Sequence, residues 1–142
     1  MTDNVTLELI TTFSTLLSTM RSALRHALKA QGYMLTPPDI RTLSVIAANP
    51  GMSLQKLVAI SGKDKSQVTR KIKELEDKQL LRKQKHPNDQ RSLQLFLTVE
   101  GKRVKVKTEA IRAAVHQQFF SRLDQKEQIK LIQLMQKCLG EI

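Results

Sequence analysis

Between Asp64 and Glu76, side chains able to hydrogen-bond a base edge or a phosphate recur at helical spacing. At about 100° per residue, Val68, Ile72 and Leu75 fall within about 60° of one another on one side of a helix. Ser66, Arg70 and Lys73 fall on the other side, flanked by Gln67 and Thr69, with Lys65 at the helix start. The first stripe suits a core. The second is a set of groups that read DNA: Arg presents a fork to guanine, Gln pairs with adenine, and Ser and Thr reach a phosphate or either base. A merely solvated helix face would carry similar charges; the elements on either side of this one argue for the reading face. A further pair, Asp89 and Arg91, sits in a loop rich in Lys and His. An Arg on such a loop can enter a minor groove, where it senses the narrow, negative shape of A·T-rich sequence. Asp89 is expected to hold the Arg91 side chain in place. Lys102, at the foot of the next helix, is placed for a phosphate.

The elements that must position these groups are punctuated clearly. Ile10, Phe13, Leu17, Met20, Leu24 and Leu28 alternate three and four apart, which predicts one long amphipathic helix over 5–31, ended near Gly32. Leu9 and Leu16 add a second apolar stripe, more than a small domain needs for itself. Thr36-Pro37-Pro38-Asp39 predicts a capped helix start, and Asn49-Pro50-Gly51 its stop. Ser53 caps a short helix that ends at Ser61-Gly62. Asp64 caps the reading helix, with Gln67 expected to complete a capping box. A strand over 80–85, the turn 86–90 and the alternating Leu93, Leu95 and Leu97 predict a β-hairpin. Thr98 then caps a helix of about twenty residues, and Asp124 with Glu127 opens a last helix carrying two apolar stripes. Two helices around a tight Gly-containing turn, followed by a hairpin, make a winged helix-turn-helix pattern. The expected fold is therefore mainly α with a small β-hairpin wing, and with N- and C-terminal helices over-supplied with apolar surface.

Composition narrows the partner. The chain has 142 residues, about one domain, and a formal net charge of +11. That excess calls for a polyanion, either nucleic acid or an anionic membrane surface. A membrane-surface protein would line its basic residues along one amphipathic helix; here they concentrate in 63–91 and 102–112. No apolar run is long enough to span a bilayer, and the start MTDNVTLELI lacks a basic signal region. The single cysteine, Cys138, excludes an internal disulfide and fits a reducing compartment, so a cytoplasmic protein is expected. Cys138 lies on an apolar stripe and is expected to be a small buried residue. Nothing resembles a nucleophile–base pair or a phosphate-binding glycine loop, and His86 and His116 lack metal-ligand spacing. Neither an enzyme nor a cofactor is expected. A nucleoid-type structural DNA binder stays open as the alternative to a site-specific regulator. The ratio of specific to non-specific affinity separates the two.

The run Asp64-Lys65-Ser66-Gln67-Val68-Thr69-Arg70-Lys71-Ile72-Lys73-Glu74-Leu75-Glu76 resembles the recognition helix of the MarR family of bacterial regulators. Asp89-Gln90-Arg91-Ser92, with Leu97-Thr98-Val99-Glu100-Gly101 after it, resembles that family's wing and the start of its next helix. The likeness in element order covers nearly the whole chain. It implies a single MarR-like domain over 1–142, with a DNA-binding lobe at about 36–98 and dimerisation helices at about 5–32 and 99–142. It also implies a homodimeric transcription regulator on palindromic operator double-stranded DNA, more often a repressor than an activator. A small aromatic effector bound between the two regions is implied as well; His26, Tyr33 and Arg41 lie near that expected cleft. Family members that sense peroxide do so through a cysteine near the N-terminus, where this chain has none. At position 79 the family usually has glycine, ending the reading helix in a left-handed residue; here it is Gln79.

Overall fold

Side chains supply the hydrogen bonds that the first turn of each helix lacks. The Thr36 hydroxyl accepts from the Asp39 amide, and Asp39 Oδ2 accepts from the Thr36 amide at 2.8 Å. Ser53 accepts from the Lys56 amide, and Asp124 and Glu127 close a second capping box. The computed structural model describes residues 3–140. Its elements in chain order are α1 (Asn4–Ala30), α2 (Pro37–Ala48), β1 (Met52–Ser53), α3 (Leu54–Ser61), α4 (Lys65–Asp77), β2 (Leu81–His86), β3 (Asp89–Leu97), α5 (Val99–Phe120) and α6 (Gln125–Leu139).

The sheet has three antiparallel strands in the order β1–β3–β2, one more than the expected hairpin. The extra strand pairs Met52 with Leu95 and Ser53 with Gln94. Two residues are too few to display a period of two, so β1 carries no signature of its own.

Residues 28–110 form one compact unit. Leu43 and Ile46 of α2, Ile72 and Leu75 of α4, Leu81 of β2 and Leu95 of β3 are fully buried in its core. The corner from α4 into β2 is braced against the start of α5. Thr98 donates its hydroxyl proton to the Gln79 carbonyl at 2.6 Å and accepts from the Gly101 amide at 2.9 Å. Gly101 lies so close to Leu80 that an added Cβ would sit 1.8 Å from the Leu80 carbonyl oxygen, so only glycine fits. Gln79 adopts φ 62, the left-handed conformation that a glycine would occupy without cost.

The second unit holds the chain up to Ala27 and from Ile111 onward. Met20, Leu24, Ile111 and Val115 are buried in it. Ile10 and Phe13 of α1 remain more than half exposed, and no residue of α6 is buried. Cys138 corrects the sequence expectation: it is exposed. It was read as core because it shares a stripe with apolar neighbours, but that stripe is half-buried only at Leu131 and is exposed at Leu134 and Cys138.

Candidate nucleic-acid interface

The interface is built from α4 outward. Val68, Ile72 and Leu75 are buried, which turns Lys65, Ser66, Gln67, Thr69, Arg70 and Lys73 to solvent, all six exposed. Gly62 at φ 67 makes the tight turn that delivers the chain from α3 into α4. Asp64 caps the helix, its carboxylate accepting from the Gln67 amide at 2.9 Å and the Ser66 hydroxyl at 2.8 Å. Those bonds, the amide first and the hydroxyl second, hold its carboxyl below the usual value of 3.8. The expected reciprocal bond from the Gln67 side chain does not form. Folding that chain back would freeze about 1.5–2 kcal/mol of rotamer freedom for a bond worth about 1 kcal/mol. The Gln67 amide group makes no hydrogen bond among the described residues.

The wing is tighter than the sequence suggested. Its turn is Pro87-Asn88, with His86 opposite Asp89. The next pair is Lys85 opposite Leu93, so residues 90–92 bulge from β3 with no partner across the hairpin. Arg91 sits in that bulge and is exposed. Asp89 does not hold the Arg91 side chain, as expected from sequence; its carboxylate accepts from the Arg91 backbone amide at 3.0 Å. With a spacing of two, the main-chain N–H is the nearer donor, the geometry of an Asx-turn. The acid thus shapes the bulge and leaves the guanidinium free. Lys102 is exposed in the first turn of α5.

Four cations of this unit are held in ion pairs among the described residues. Lys71 pairs with Asp39 and Glu74, Lys83 with Glu76, Arg103 with Glu100 and Lys105 with Glu109. Among the described residues, no carboxylate lies within ion-pairing distance of Lys65, Arg70, Lys73, Arg91 or Lys102. Lys63 and Lys85 share that condition. Arg41, Lys56 and Lys107 also lie outside any ion pair among the described residues, so the cations on the outer face of α4, beside its cap, on the wing and at the foot of α5 are among the unpaired ones of this unit.

Residues 35–93 match the sequence model of the MarR family. The chain carries a MarR-family domain. The transcriptional regulator HosA of Escherichia coli O111:H- is 28% identical over 106 residues, 75% of this chain and 78% of that protein. A putative transcriptional regulatory protein for the hcr operon of Thauera aromatica is 31% identical over 103 residues, 72% of this chain and 62% of that protein. Among solved structures, a cysteine-to-serine mutant of Escherichia coli MarR in complex with operator DNA superposes with a TM-score of 0.81 at 20% identity. The match covers 97% of this chain and 99% of that one. The fold is that of the MarR winged helix, and the chain is a MarR-type regulator of transcription.

Three features of this MarR-type lobe were not legible in the sequence. Arg82 stacks on Phe96 across the hairpin, 4.4 Å from the ring centroid, which needs the strand register to be known. Lys71 reaches Asp39 Oδ1 at 2.6 Å, the only partner of that buried oxygen among the described residues. Lys78 donates from Nζ to the Met34 carbonyl at 2.6 Å. The last two contacts join residues more than thirty positions apart, beyond any local pattern. Of the residues expected near an effector cleft, His26 and Arg41 are exposed and Tyr33 is half-buried.

Proposed function

We propose that this regulator is a repressor that binds an imperfect palindromic operator as a two-fold homodimer. In this reading Lys65, Ser66, Gln67, Thr69, Arg70 and Lys73 face the major groove. Asp89 shapes the wing bulge that carries Arg91 to the minor groove, and Lys102 meets a phosphate. The observation that carries the reading is the exposed polar and cationic face of α4 opposite the buried Val68, Ile72 and Leu75, together with the exposed Arg91 and Lys102, none of these cations held in an ion pair among the described residues. An unpaired cation on a protein surface is free to release counterions from DNA without first breaking an internal bond. The exposed apolar faces of α1 and α6 support a second copy as partner.

Relief by a small aromatic effector completes the reading. It is supported by the family resemblance and by the PcaV regulator of Streptomyces coelicolor, solved with its natural ligand. That protein is 25% identical, with a TM-score of 0.70, and the match covers 88% of this chain and 89% of that one. Selection of bound sequences from random duplex DNA tests the central claim. The expected product is an inverted repeat with half-site centres about 34–36 Å apart. A pool with no enriched sequence would point instead to a non-specific DNA coat. A reporter driven from the selected site should be silenced by the protein and released by the effector.

A further inference from the structure

We propose that Lys71 and Lys78 are positioning residues for DNA reading, two tethers that hold α4 and its C-cap to residues 34–39, the entry to α2 and its first turn. The inference rests on α4 being the reading helix. The two lysines are seven residues apart, nearly two full turns, and so leave α4 on almost the same side. Both reach back to one stretch of chain. Lys71 Nζ lies 2.6 Å from Asp39 Oδ1, and Lys78 Nζ lies 2.6 Å from the Met34 carbonyl oxygen. Asp39 is itself fixed, because its other oxygen accepts from the Thr36 amide and closes the cap of α2. One carboxylate therefore sets the start of α2 and the lateral position of α4 together.

Lys71 is not available to DNA in the way Arg70 or Lys73 is. Lys71 is neutralised twice, by Asp39 and by Glu74 at 3.2 Å. The buried side of α4 is apolar, and apolar contacts are non-directional, so Val68, Ile72 and Leu75 alone would tolerate a small roll or slide of the helix. Base reading does not, because bidentate hydrogen bonds need their donors placed to a fraction of an ångström. Two directional bonds at separate points along the helix remove both freedoms.

The test uses the full chain, the duplex recovered by selection and a shuffled duplex of the same length. The informative variant is Lys71→Met combined with Asp39→Asn. It removes the ion pair, leaves no buried charge and keeps both the net charge and the cap acceptor of α2. Removing the lysine alone would strand the carboxylate and risk unfolding. The double variant should lose about fivefold or more in operator affinity, as much as one mismatched base pair costs. Its affinity for shuffled DNA should stay within about twofold of the parent, the size of an ordinary surface change, with an unchanged salt slope. Lys71→Arg should retain most of the discrimination, and Lys78→Met should reduce it as the double variant does. An unchanged operator-to-shuffled ratio in the folded double variant would overturn the proposal. So would equal losses on both duplexes with a salt slope lower by about one, since Lys71 would then be a phosphate contact. Arg70→Ala is the control for the reading itself. If it loses discrimination while the double variant keeps it, only the tethers fail; if neither changes the ratio, α4 is not the reader and both readings fall.

Discussion

Arg70 and Arg91 are both exposed and outside any ion pair among the described residues, yet they should act differently because of what carries them. Arg70 projects from a rigid helix whose opposite side is core, so its fork has a fixed direction. Arg70→Ala is expected to cost roughly 1–3 kcal/mol on the operator and to relax preference at one or two base pairs. Arg91 projects from a bulge shaped by Asp89, and its substitution should cost selectivity in the flanking A·T-rich segments. Affinities for operator, shuffled and flank-substituted duplexes across several salt concentrations distinguish the two. Equal losses from Arg70→Ala on all duplexes would make it a backbone contact. Gln79 gives a prediction free of DNA. Its left-handed φ of 62 costs an L-residue about 1–2 kcal/mol, and glycine would avoid that at an entropic cost of about 0.5–1 kcal/mol. The side chain is exposed, and the bond from Thr98 is to its carbonyl, so glycine loses neither. Gln79→Gly should therefore stabilise the fold by about 0.5–1 kcal/mol, read as a higher urea midpoint with an unchanged slope. A lower midpoint would show that the corner needs the Gln side chain.

Helices with strong end signals were legible because their caps are local. Thr36 with Asp39, Ser53, Asp64, and Asp124 with Glu127 each bond a residue no more than three positions away. The exposed face of α4 was legible for the same reason, since a buried stripe of Val68, Ile72 and Leu75 dictates what lies opposite. What failed were the two-residue β1 and the Lys71–Asp39 pair, whose partners are fixed by tertiary structure, and the choice of Asp89 between two local donors, the side chain and the main-chain amide of Arg91. The pH behaviour of the elements follows from such contacts. Burial opposes the charge on Lys71, but the bonds and attraction from Asp39 and then Glu74 outweigh it, so its amine lies above the usual 10.5. A raised amine stabilises the fold fully below its unfolded value and stops doing so only as pH climbs past the folded one. The tether should thus hold across the neutral range and weaken only above pH 10.5. His116 has the opposite sign. Burial first, and the Arg112 charge second, lower it below 6.5, so the unfolded chain binds a proton more readily and stability falls as pH drops through that value. His116→Gln should flatten the fall in melting temperature between about pH 7.5 and 5.5, since the usual titration range of histidine lies there. An unchanged slope in the variant would assign the acid sensitivity elsewhere.

At the scale of the molecule, two surfaces remain unsatisfied, and they are unlike each other. One, in the unit of residues 28–110, is cationic and calls for a polyanion. The other is apolar: Val5, Leu9, Ile10 and Phe13 on α1 are all more than half exposed, and Ile129, Ile132, Leu134 and Leu139 on α6 are nearly half exposed or more. Single exposed apolar residues need no explanation, but two helices carrying contiguous stripes do. The stripes were visible as sequence periodicity, whereas which side of each would stay uncovered was not, as the exposed Cys138 illustrates. A second copy of the same chain covers such faces with the fewest assumptions, since each copy brings the surface the other lacks, and a two-fold dimer also doubles the number of reading helices. Sedimentation at micromolar concentration should accordingly give about twice the chain mass of 16.2 kDa. Phe13→Glu combined with Ile132→Glu places a charge in each face. It should shift the protein to monomer while residues 28–110 keep their core, and operator affinity should fall far more than affinity for a single half-site. A native chain that sediments as a monomer and still binds the full operator with high selectivity would show that these faces serve another partner.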